Sequence, residues 1–389
     1  MSEQNFYFDH GASAPRLDEV AEAMAPWQHG VVGNPSGMHS ASRAARRAIE
    51  DARDIVANFV GQPSHEVIFT GGGTESCHLA ISGVVREHRQ HHEVSDIVIS
   101  PTEHHAVLNT ALALADEFDD VRVRFLDVDD LGIVTTSSLW ENVGPNTAIV
   151  SVMTVNNETG VYQPIPVVGS ITAGGVPDGG ISHTDAVAAA PWLYLPALTE
   201  SIDMISLAAH KLGGPVNSGA LVLRREIKLS PVSVGGGQER GHRGGTVDVA
   251  AAVGLAAACR VVDRERMEVN ERVSALRARL EAALRYIPGV AITATEETRV
   301  PGCTHLTVEG LASEELLFLL DNAGIAASAG ASCSSGASVV SHVLEAMKMP
   351  EDKARGALRF TMGRETTKED VDQLIAVFAD VVYRLRGEK

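Results

Sequence analysis

The sequence predicts an α/β protein, built as a mostly parallel sheet covered by helices on both sides and followed by a smaller α+β unit. Three observations carry this expectation. Seven short apolar runs recur between residues 66 and 223, several of them apolar on both faces, as strands buried in a parallel sheet must be. Segments of helical period lie between them. Past about residue 262 the pattern changes to short strands mixed with helices.

Taken in order, the first helical stripe is Ala45, Ile49, Ala52, Val56 and Phe59, with Gly61 where such a helix would stop. Strands are expected at Glu66–Thr70, Asp96–Ser100, Val121–Leu126, Ala148–Val155, Gly180–Thr184, Asp203–Ala208 and Gly219–Leu223. A long helix follows at about Val249–Ile287, its second half carrying Val269, Val273, Leu276, Leu280 and Leu284 on one stripe. In the smaller unit, strands are expected at Val290–Thr293, Thr304–Val308, Gly324–Ser328 and Leu358–Met362, with helices at Ser313–Asn322 and Lys368–Leu385. The last helix has a start signal of capping-box spacing in Thr366-Thr-Lys-Glu369. There is no internal repeat, and the low-complexity stretches are Gly/Ser/Ala-rich loops.

With 389 residues the chain can bury a large core and form two domains. No run approaches 18 uninterrupted apolar residues, so no membrane span is expected, and the polar start Met1-Ser-Glu-Gln-Asn5 does not resemble a secretory signal. A formal net charge of −18 argues against a broad grip on nucleic acid. The four cysteines (Cys77, Cys259, Cys303, Cys333) form neither a C-x-x-C pair nor a disulfide framework, and a reducing, cytoplasmic setting fits them.

Lys211 is the single lysine among the first 227 residues. It ends the apolar run Ile202-Asp-Met-Ile-Ser-Leu-Ala-Ala-His-Lys211, and Gly213, Gly214 and Pro215 then break regular structure. An amine at the mouth of a buried strand loses its proton more readily, because desolvation disfavours the ammonium. A neutral amine can form a Schiff base with an aldehyde cofactor. Gly71-Gly-Gly-Thr-Glu-Ser76 follows a strand and opens a helix, so its backbone can approach an anion, with the Thr74 hydroxyl adding a bond; no lysine follows, so it is no Walker loop. In Thr102-Glu-His-His-Ala106 an imidazole can stack on a flat ring or move a proton, whereas adjacent His104 and His105 on extended chain point apart and would not share a metal. Asn157, in Asn156-Asn-Glu-Thr-Gly160, can bond a phenolic oxygen, and the same residues favour an ordinary turn. Asp185 ends a strand at a depth where a carboxylate needs a cationic partner, such as a protonated pyridine nitrogen. Cys333 lies in Ser328-Ala-Gly-Ala-Ser-Cys-Ser-Ser-Gly-Ala-Ser338, a composition that predicts a mobile loop, while the other three cysteines are expected to be inert packing residues.

Together these segments resemble the pyridoxal-phosphate cysteine desulfurases of the NifS/IscS type, over nearly the whole chain and in the family's order. The resemblance begins with Phe8-Asp-His-Gly-Ala-Ser-Ala-Pro15 and Gly33-Asn-Pro-Ser-Gly-Met-His39. It continues through Gly72-Gly-Thr-Glu-Ser76, Thr102-Glu-His104, Val155-Asn-Asn-Glu158, His183-Thr-Asp185 and His210-Lys211. It ends with Gly235-Gly-Gly-Gln-Glu-Arg240, Arg243-Gly-Gly-Thr246, the Cys333 loop and Arg359-Phe-Thr-Met-Gly-Arg364. It implies a fold type I architecture with a large domain over 15–262 around a seven-stranded sheet, and a small domain of 1–14 and 263–389. It implies pyridoxal 5′-phosphate on Lys211, which also shuttles the substrate proton; Asp185 on the pyridine nitrogen; His104 stacked on the ring; and Asn157 on the ring hydroxyl. Gly73, Thr74 and His210 are implied at the phosphate, with Thr246 reaching the phosphate of the partner subunit in a homodimer. Arg359, with Asn34, is implied to clamp the carboxylate of L-cysteine. Cys333 is implied to take the sulfur as a persulfide, release alanine, and pass the sulfur to an acceptor or scaffold protein for iron–sulfur cluster assembly or thiolation.

Three departures stand out. Ala188 replaces a glutamine that the family usually has near the ring hydroxyl, Ala208 replaces a serine that commonly contacts phosphate, and Ser13-Ala14 stands where paired threonines are usual. A selenocysteine lyase or another β-eliminating lyase on this scaffold is the near alternative, and the Ala188 and Ala208 changes keep open a non-catalytic sulfur-relay or scaffold protein. A nicotinamide enzyme built on Gly71–Gly73 is disfavoured, because the Asp96–Ser100 run ends in Ser-Pro rather than in an acidic residue.

Overall fold

The computed structural model describes residues 6–175, 179–330 and 340–387. Its strands, in chain order, are β1 (Phe6–Tyr7), β2 (Val67–Thr70), β3 (Ser95–Ile99), β4 (Val121–Phe125), β5 (Thr147–Ser151), β6 (Ile181–Asp185), β7 (Met204–Ala208), β8 (Gly219–Leu223), β9 (Val290–Ile292), β10 (Cys303–Val308), β11 (Ile325–Ala326) and β12 (Ala357–Thr361). Strands β2 to β8 form one seven-stranded sheet in the order β2-β8-β7-β6-β5-β3-β4. Only β8 runs against its neighbours, pairing antiparallel with β7 and β2, while the pairs β7–β6, β6–β5, β5–β3 and β3–β4 are parallel.

Both faces of this sheet are buried, as the doubly apolar runs require. Alternate side chains of one strand enter different cores. Val67 and Phe69 pack with the helices Ser40–Val60 and Val249–Leu284, while Ile68 packs with Leu79, Ile81 and Val84 of helix Gly73–His88 and with Val107 of helix His105–Glu117. The Ala45–Phe59 stripe is buried on helix Ser40–Val60, which stops at Gly61 (φ 73°), a left-handed position suited to glycine.

The helix Val249–Leu284 joins two hydrophobic cores. Its first half, from Val249 to Val261, packs under the large sheet; Val273, Leu276, Leu280 and Leu284 pack in a separate core with Phe8, Leu306, Leu358, Phe360 and Phe378. In that second core the Phe360 ring meets Phe8 and Phe378 edge-on, with centroids 6.4 and 5.7 Å apart. The antiparallel sheet β12-β10-β9 and the helices Ser313–Asn322 and Lys368–Arg386 enclose it. Strand β1 returns to this core by pairing with β11, which is shorter than the expected Gly324–Ser328.

Two expectations are corrected. The expected strand Ala148–Val155 is a regular strand only to Ser151; Val152 and Thr154 still donate to the His183 and Asp185 carbonyls, and Asn156 then closes a turn, its Oδ1 accepting from the backbone of Glu158 and Thr159 at 2.9 Å each. The capping box of the last helix is Thr367 with Asp370, one residue later than expected. The Thr366 hydroxyl instead accepts from the Gly363 N–H at 2.9 Å and so closes the preceding turn. No helix among the described residues is long and apolar enough to cross a membrane.

Candidate active site

The parallel strands present their carboxyl ends along one edge of the sheet, the edge at which open α/β sheets bind ligands. Beyond β7, a single tight helical turn, Ala209–Leu212, carries His210 and Lys211 and ends at Gly213 (φ 77°). A Cβ at Gly213 would lie 2.6 Å from Leu17 and 3.0 Å from the Pro15 carbonyl, so the N-terminal segment packs against this turn only because the residue is glycine. Lys211 Nζ consequently donates to the carbonyls of Gly11 and Ala12. Burial and then the Arg359 guanidinium pull its pKa down to about 8, against the opposing pull of Asp185 and Asp9. Burial, Lys211 and His104 hold His210 down at about 4, so its imidazole is neutral.

Asp185 closes β6 and is 7% exposed. Burial pushes its carboxyl upward; His104, the Val187 N–H at 2.9 Å, the Cys77 thiol and Lys211 act in the opposite direction. Cys77 is thus more than inert packing, because it faces this carboxylate. His104, itself extended, caps the helix His105–Glu117, of which His105 is the first residue, so the two do not alternate along one strand as expected. His104 Nδ1 accepts from the Ala106 N–H at 3.1 Å, which leaves Nε2 as the protonated nitrogen of the neutral ring. Burial lowers its pKa, with Asp185 opposing.

The turn Gly71–Gly73 joins β2 to the helix Gly73–His88. Gly72 has φ 135° and ψ −178°, a conformation closed to side-chain-bearing residues. A Cβ on Gly73 would lie 3.0 Å from Val187 and 3.4 Å from Ala208. The helix therefore opens directly beside the end of β6 and at the position where Ala208 stands instead of a hydroxyl. The first N–H groups of this helix, at Gly73 and Thr74, have no acceptor within it and lie at the positive end of its dipole. The Thr74 side chain is exposed.

Arg359, on β12, is 4% exposed and reaches from the second core to this edge. Its Nη2 donates to Asp9 at 2.9 Å and its Nη1 to the Asn157 carbonyl at 2.6 Å, while Nε has no partner among the described residues. Next to Asn157, the buried Glu158 accepts from the Ser341 hydroxyl at 2.5 Å, and its carboxyl is pushed up by burial. A Cβ on Gly330 would lie 3.3 Å from the same carboxyl oxygen. Gly330 and Ser341, on either side of residues 331–339, therefore both lie at Glu158, and Ser341 is bonded to it. Cys333 itself lies outside the described residues. Lys211 and Asn157 open on a cavity of about 110 Å³ that Ala188, Trp192, Val300 and Cys303 also line.

Asn34 and Thr246 are both exposed and line a different cleft, together with Arg46, Arg53, Glu239 and Arg240. The structure thus does not bring Asn34 to the Lys211 cavity of its own chain. The segment carrying Thr246 is anchored by a buried ion pair. Arg53 donates to Glu239 at 2.8 and 2.9 Å, and Glu239 also accepts the Phe69 N–H at 2.7 Å. This pair holds Glu239 (φ 43°) and Arg240 (φ 58°) in the left-handed region, where side-chain-bearing residues are strained. Removing the carboxylate leaves a buried guanidinium without its main partner. Glu239→Ala should therefore lower stability by about 3 kcal/mol, read from the urea midpoint; a change below about 0.5 kcal/mol would contradict the pairing.

The sequence reading missed Asp9 as the partner of Arg359, and it missed Glu158. It also missed His183, although the spacing His183-Thr-Asp185 puts both polar side chains on one face of a strand.

The aminotransferase class-V family matches residues 6–374, and the chain belongs to that family. The chain is 39% identical over 387 residues to an IscS-like cysteine desulfurase of Mycobacterium tuberculosis, covering 98% of this chain and 97% of that protein. It is 37% identical over 381 residues to the cysteine desulfurase IscS of Methanosarcina thermophila, covering 98% of this chain and 93% of that one. A solved NifS-like protein superimposes with a TM-score of 0.91 at 29% identity, covering 98% of this chain and all of the other.

Proposed function

We propose that this chain, a pyridoxal-phosphate-dependent cysteine desulfurase, takes the sulfur of L-cysteine onto Cys333 and leaves L-alanine. The observation that carries the reading is Lys211, an amine with its pKa drawn down to about 8, set at the carboxyl edge of the sheet within the field of Asp185 and Arg359. The donor set suits the cofactor. The glycine turn at 71–73 and the free N–H groups of the helix it opens suit a phosphate, the buried Asp185 suits a protonated pyridine nitrogen, and the Lys211 amine suits an aldehyde. Bound there, the cofactor supplies an electron-withdrawing ring that stabilises negative charge at the substrate α-carbon.

The chain's own residues do the rest. Arg359, fixed by Asp9 and the Asn157 carbonyl, offers its unpaired N–H groups to the substrate carboxylate. Lys211 moves the α-proton, and the neutral His104 would stack on the cofactor ring. The Cys333 thiolate attacks the substrate sulfur. A sulfur–sulfur bond forms as the carbon–sulfur bond breaks, and the electron pair of the broken bond is protonated at carbon. Cysteine and a thiol thus become alanine and a persulfide, without an external oxidant. Three peptide units separate Cys333 from Gly330, a reach of about 11 Å at most, which favours delivery to this site.

The same reading includes the division into a large domain (15–262) and a small one (1–14 and 263–389), supported by the two cores that share helix Val249–Leu284. It includes a homodimer in which Asn34 and Thr246, remote from the Lys211 cavity of their own chain, complete the partner's site. It also includes a cytoplasmic location and delivery of sulfur to an acceptor or scaffold protein. Mass spectrometry after addition of L-cysteine should find one extra sulfur on the peptide containing Cys333; alanine formed without that adduct would remove the role assigned to the thiol.

The lowered Lys211 pKa gives a second prediction. Only the neutral amine captures an aldehyde. Cofactor uptake by the unloaded chain should therefore quicken about fivefold from pH 7 to pH 8 and level off above about pH 9. A steady tenfold rise per pH unit up to pH 10 would mean that the amine has an ordinary pKa.

A further inference from the structure

Beneath the Lys211 edge, a line of buried polar side chains crosses the large sheet. Ser151 on β5, His183 on β6 and Ser206 on β7 are all fully buried. Ser151 Oγ lies 2.8 Å from His183 Nδ1, and His183 Nε2 lies 2.9 Å from Ser206 Oγ. Ser206 is the direct cross-strand neighbour of Asp185, and Asp185 lies two residues beyond His183 on the same face of β6. Cys77, fully buried on helix Gly73–His88, faces both: the Ser206 hydroxyl lowers its thiol pKa and the Asp185 carboxyl raises it, as expected of a sulfur that accepts from Ser206 and an S–H turned to Asp185.

The protons along this line can be assigned from its two fixed features. Burial alone pulls the His183 pKa down to about 3, so its ring is neutral and has one donor and one acceptor. The far end is Asp185, which, as the anion that a pyridine nitrogen pairs with, only accepts. Working back from that end, Cys77 donates to Asp185, Ser206 donates to Cys77, His183 Nε2–H donates to Ser206, and Ser151 donates to His183 Nδ1. Each donor is polarised by the next, and all of them point the same way. Asp185 thereby receives the thiol as well as the Val187 N–H, and it keeps an acceptor site for one further proton-bearing group. The other ionisable groups facing it are His104, Lys211 and Glu103, and none of them belongs to the chain of donors.

We propose that Ser151, His183, Ser206 and Cys77 form a one-way chain of hydrogen-bond donors that positions Asp185 and holds it as the anion with which the cofactor's pyridine nitrogen pairs. These are positioning residues, and the role rests on the reading of Asp185 given above. It follows from the juxtaposition of three strands and one helix, and it gives Cys77 and His183 a part in the chemistry that neither packing nor sulfur transfer assigns them.

The direction of the chain can be measured without the cofactor. In the full-length protein with ¹⁵N-labelled histidine, the His183 signal, identified by its loss in His183→Gln, should show Nε2 protonated and Nδ1 bare. A proton on Nδ1, or on both nitrogens, overturns the chain whatever the cofactor does. The consequence is read on the loaded protein carrying a cofactor with a ¹⁵N-labelled pyridine ring. Cys77→Ala should weaken cofactor binding about tenfold, the effect of one hydrogen bond to a charged group, and should move the ring ¹⁵N signal from pyridinium towards neutral pyridine. Cys77→Ser, which keeps a donor, should restore both. Binding within twofold of the parent and an unmoved signal in Cys77→Ala overturn the proposal. If Cys77→Ala does not fold, the His183 tautomer of the unsubstituted protein still decides. Failure of the unsubstituted protein to take up the cofactor would sink the functional reading instead, and would leave the tautomer result standing.

Discussion

Replacing Lys211 by alanine should abolish covalent cofactor capture and lower the rate of alanine formation by about 10⁴-fold or more, since the amine is proposed as both tether and proton carrier. The loss should be chemical rather than structural. The Lys211 side chain donates to two backbone carbonyls, but Gly213 and the Leu17–Pro15 contact, which shape the turn, do not involve it. Lys211→Ala should therefore melt near the parent protein. Lys211→Arg is the sharper test. It restores a positive charge beside Asp185 and Asp9, yet a guanidinium does not lose its proton in a protein and cannot capture an aldehyde. If charge were the function of Lys211, arginine would rescue. The expectation is that both variants are inactive, and that a small free amine such as methylamine partly restores Lys211→Ala but not Lys211→Arg, whose side chain fills the space. Appreciable turnover in Lys211→Arg would remove the amine from the mechanism.

The parts of this site that could be read from the sequence are those that its local rules control. The seven strands of the large sheet sit within a few residues of the expected runs, because strands buried on both faces are mostly apolar, and Gly71 ends β2 directly. Lys211, Asp185 and the glycine turn stand at strand ends, where a change of pattern marks them. The residues that were not legible act across long separations. Arg53 and Glu239 are 186 positions apart, and Arg359 meets Asp9 across 350; neither pair has a local signal. The shift of the capping box by one residue has the same origin, since Thr366 is drawn away by the Gly363 turn and leaves Thr367 to cap. His183 falls between these cases. Its face could be read from the two-residue spacing, but its partners on β5 and β7 depend on strand order, which pattern alone does not give.

The second large effect concerns the thiol, and the structure supplies a competitor for its role. Of the four cysteines, Cys77, Cys259 and Cys303 are free and buried. Cys303 is the rival, because it lines the same cavity as Lys211 and Asn157. Its chemistry argues against it. Burial pushes its thiol up to about 11, and the thiol donates to the Glu158 carbonyl at 3.6 Å, so only a minute fraction is thiolate at neutral pH. Burial likewise raises the thiols of Cys77 and Cys259. Since sulfur is accepted by a thiolate, Cys333→Ser should eliminate persulfide formation from L-cysteine and lower alanine production by about 10³-fold or more, because a serine hydroxyl is scarcely ionised and offers no sulfur for the new bond. Cys303→Ala should retain most of the rate. The Cys333→Ser protein should still be yellow and still bind L-cysteine, since Lys211, Asp185 and Arg359 are untouched. Selenocysteine separates the two roles further, because its weaker carbon–selenium bond makes selenium the better leaving group, and its cleavage should survive in Cys333→Ser. Persulfide found on the Cys303 peptide, or full desulfuration by Cys333→Ser, would transfer the role to the buried thiol and require the cavity, rather than the 331–339 segment, to be where sulfur changes hands.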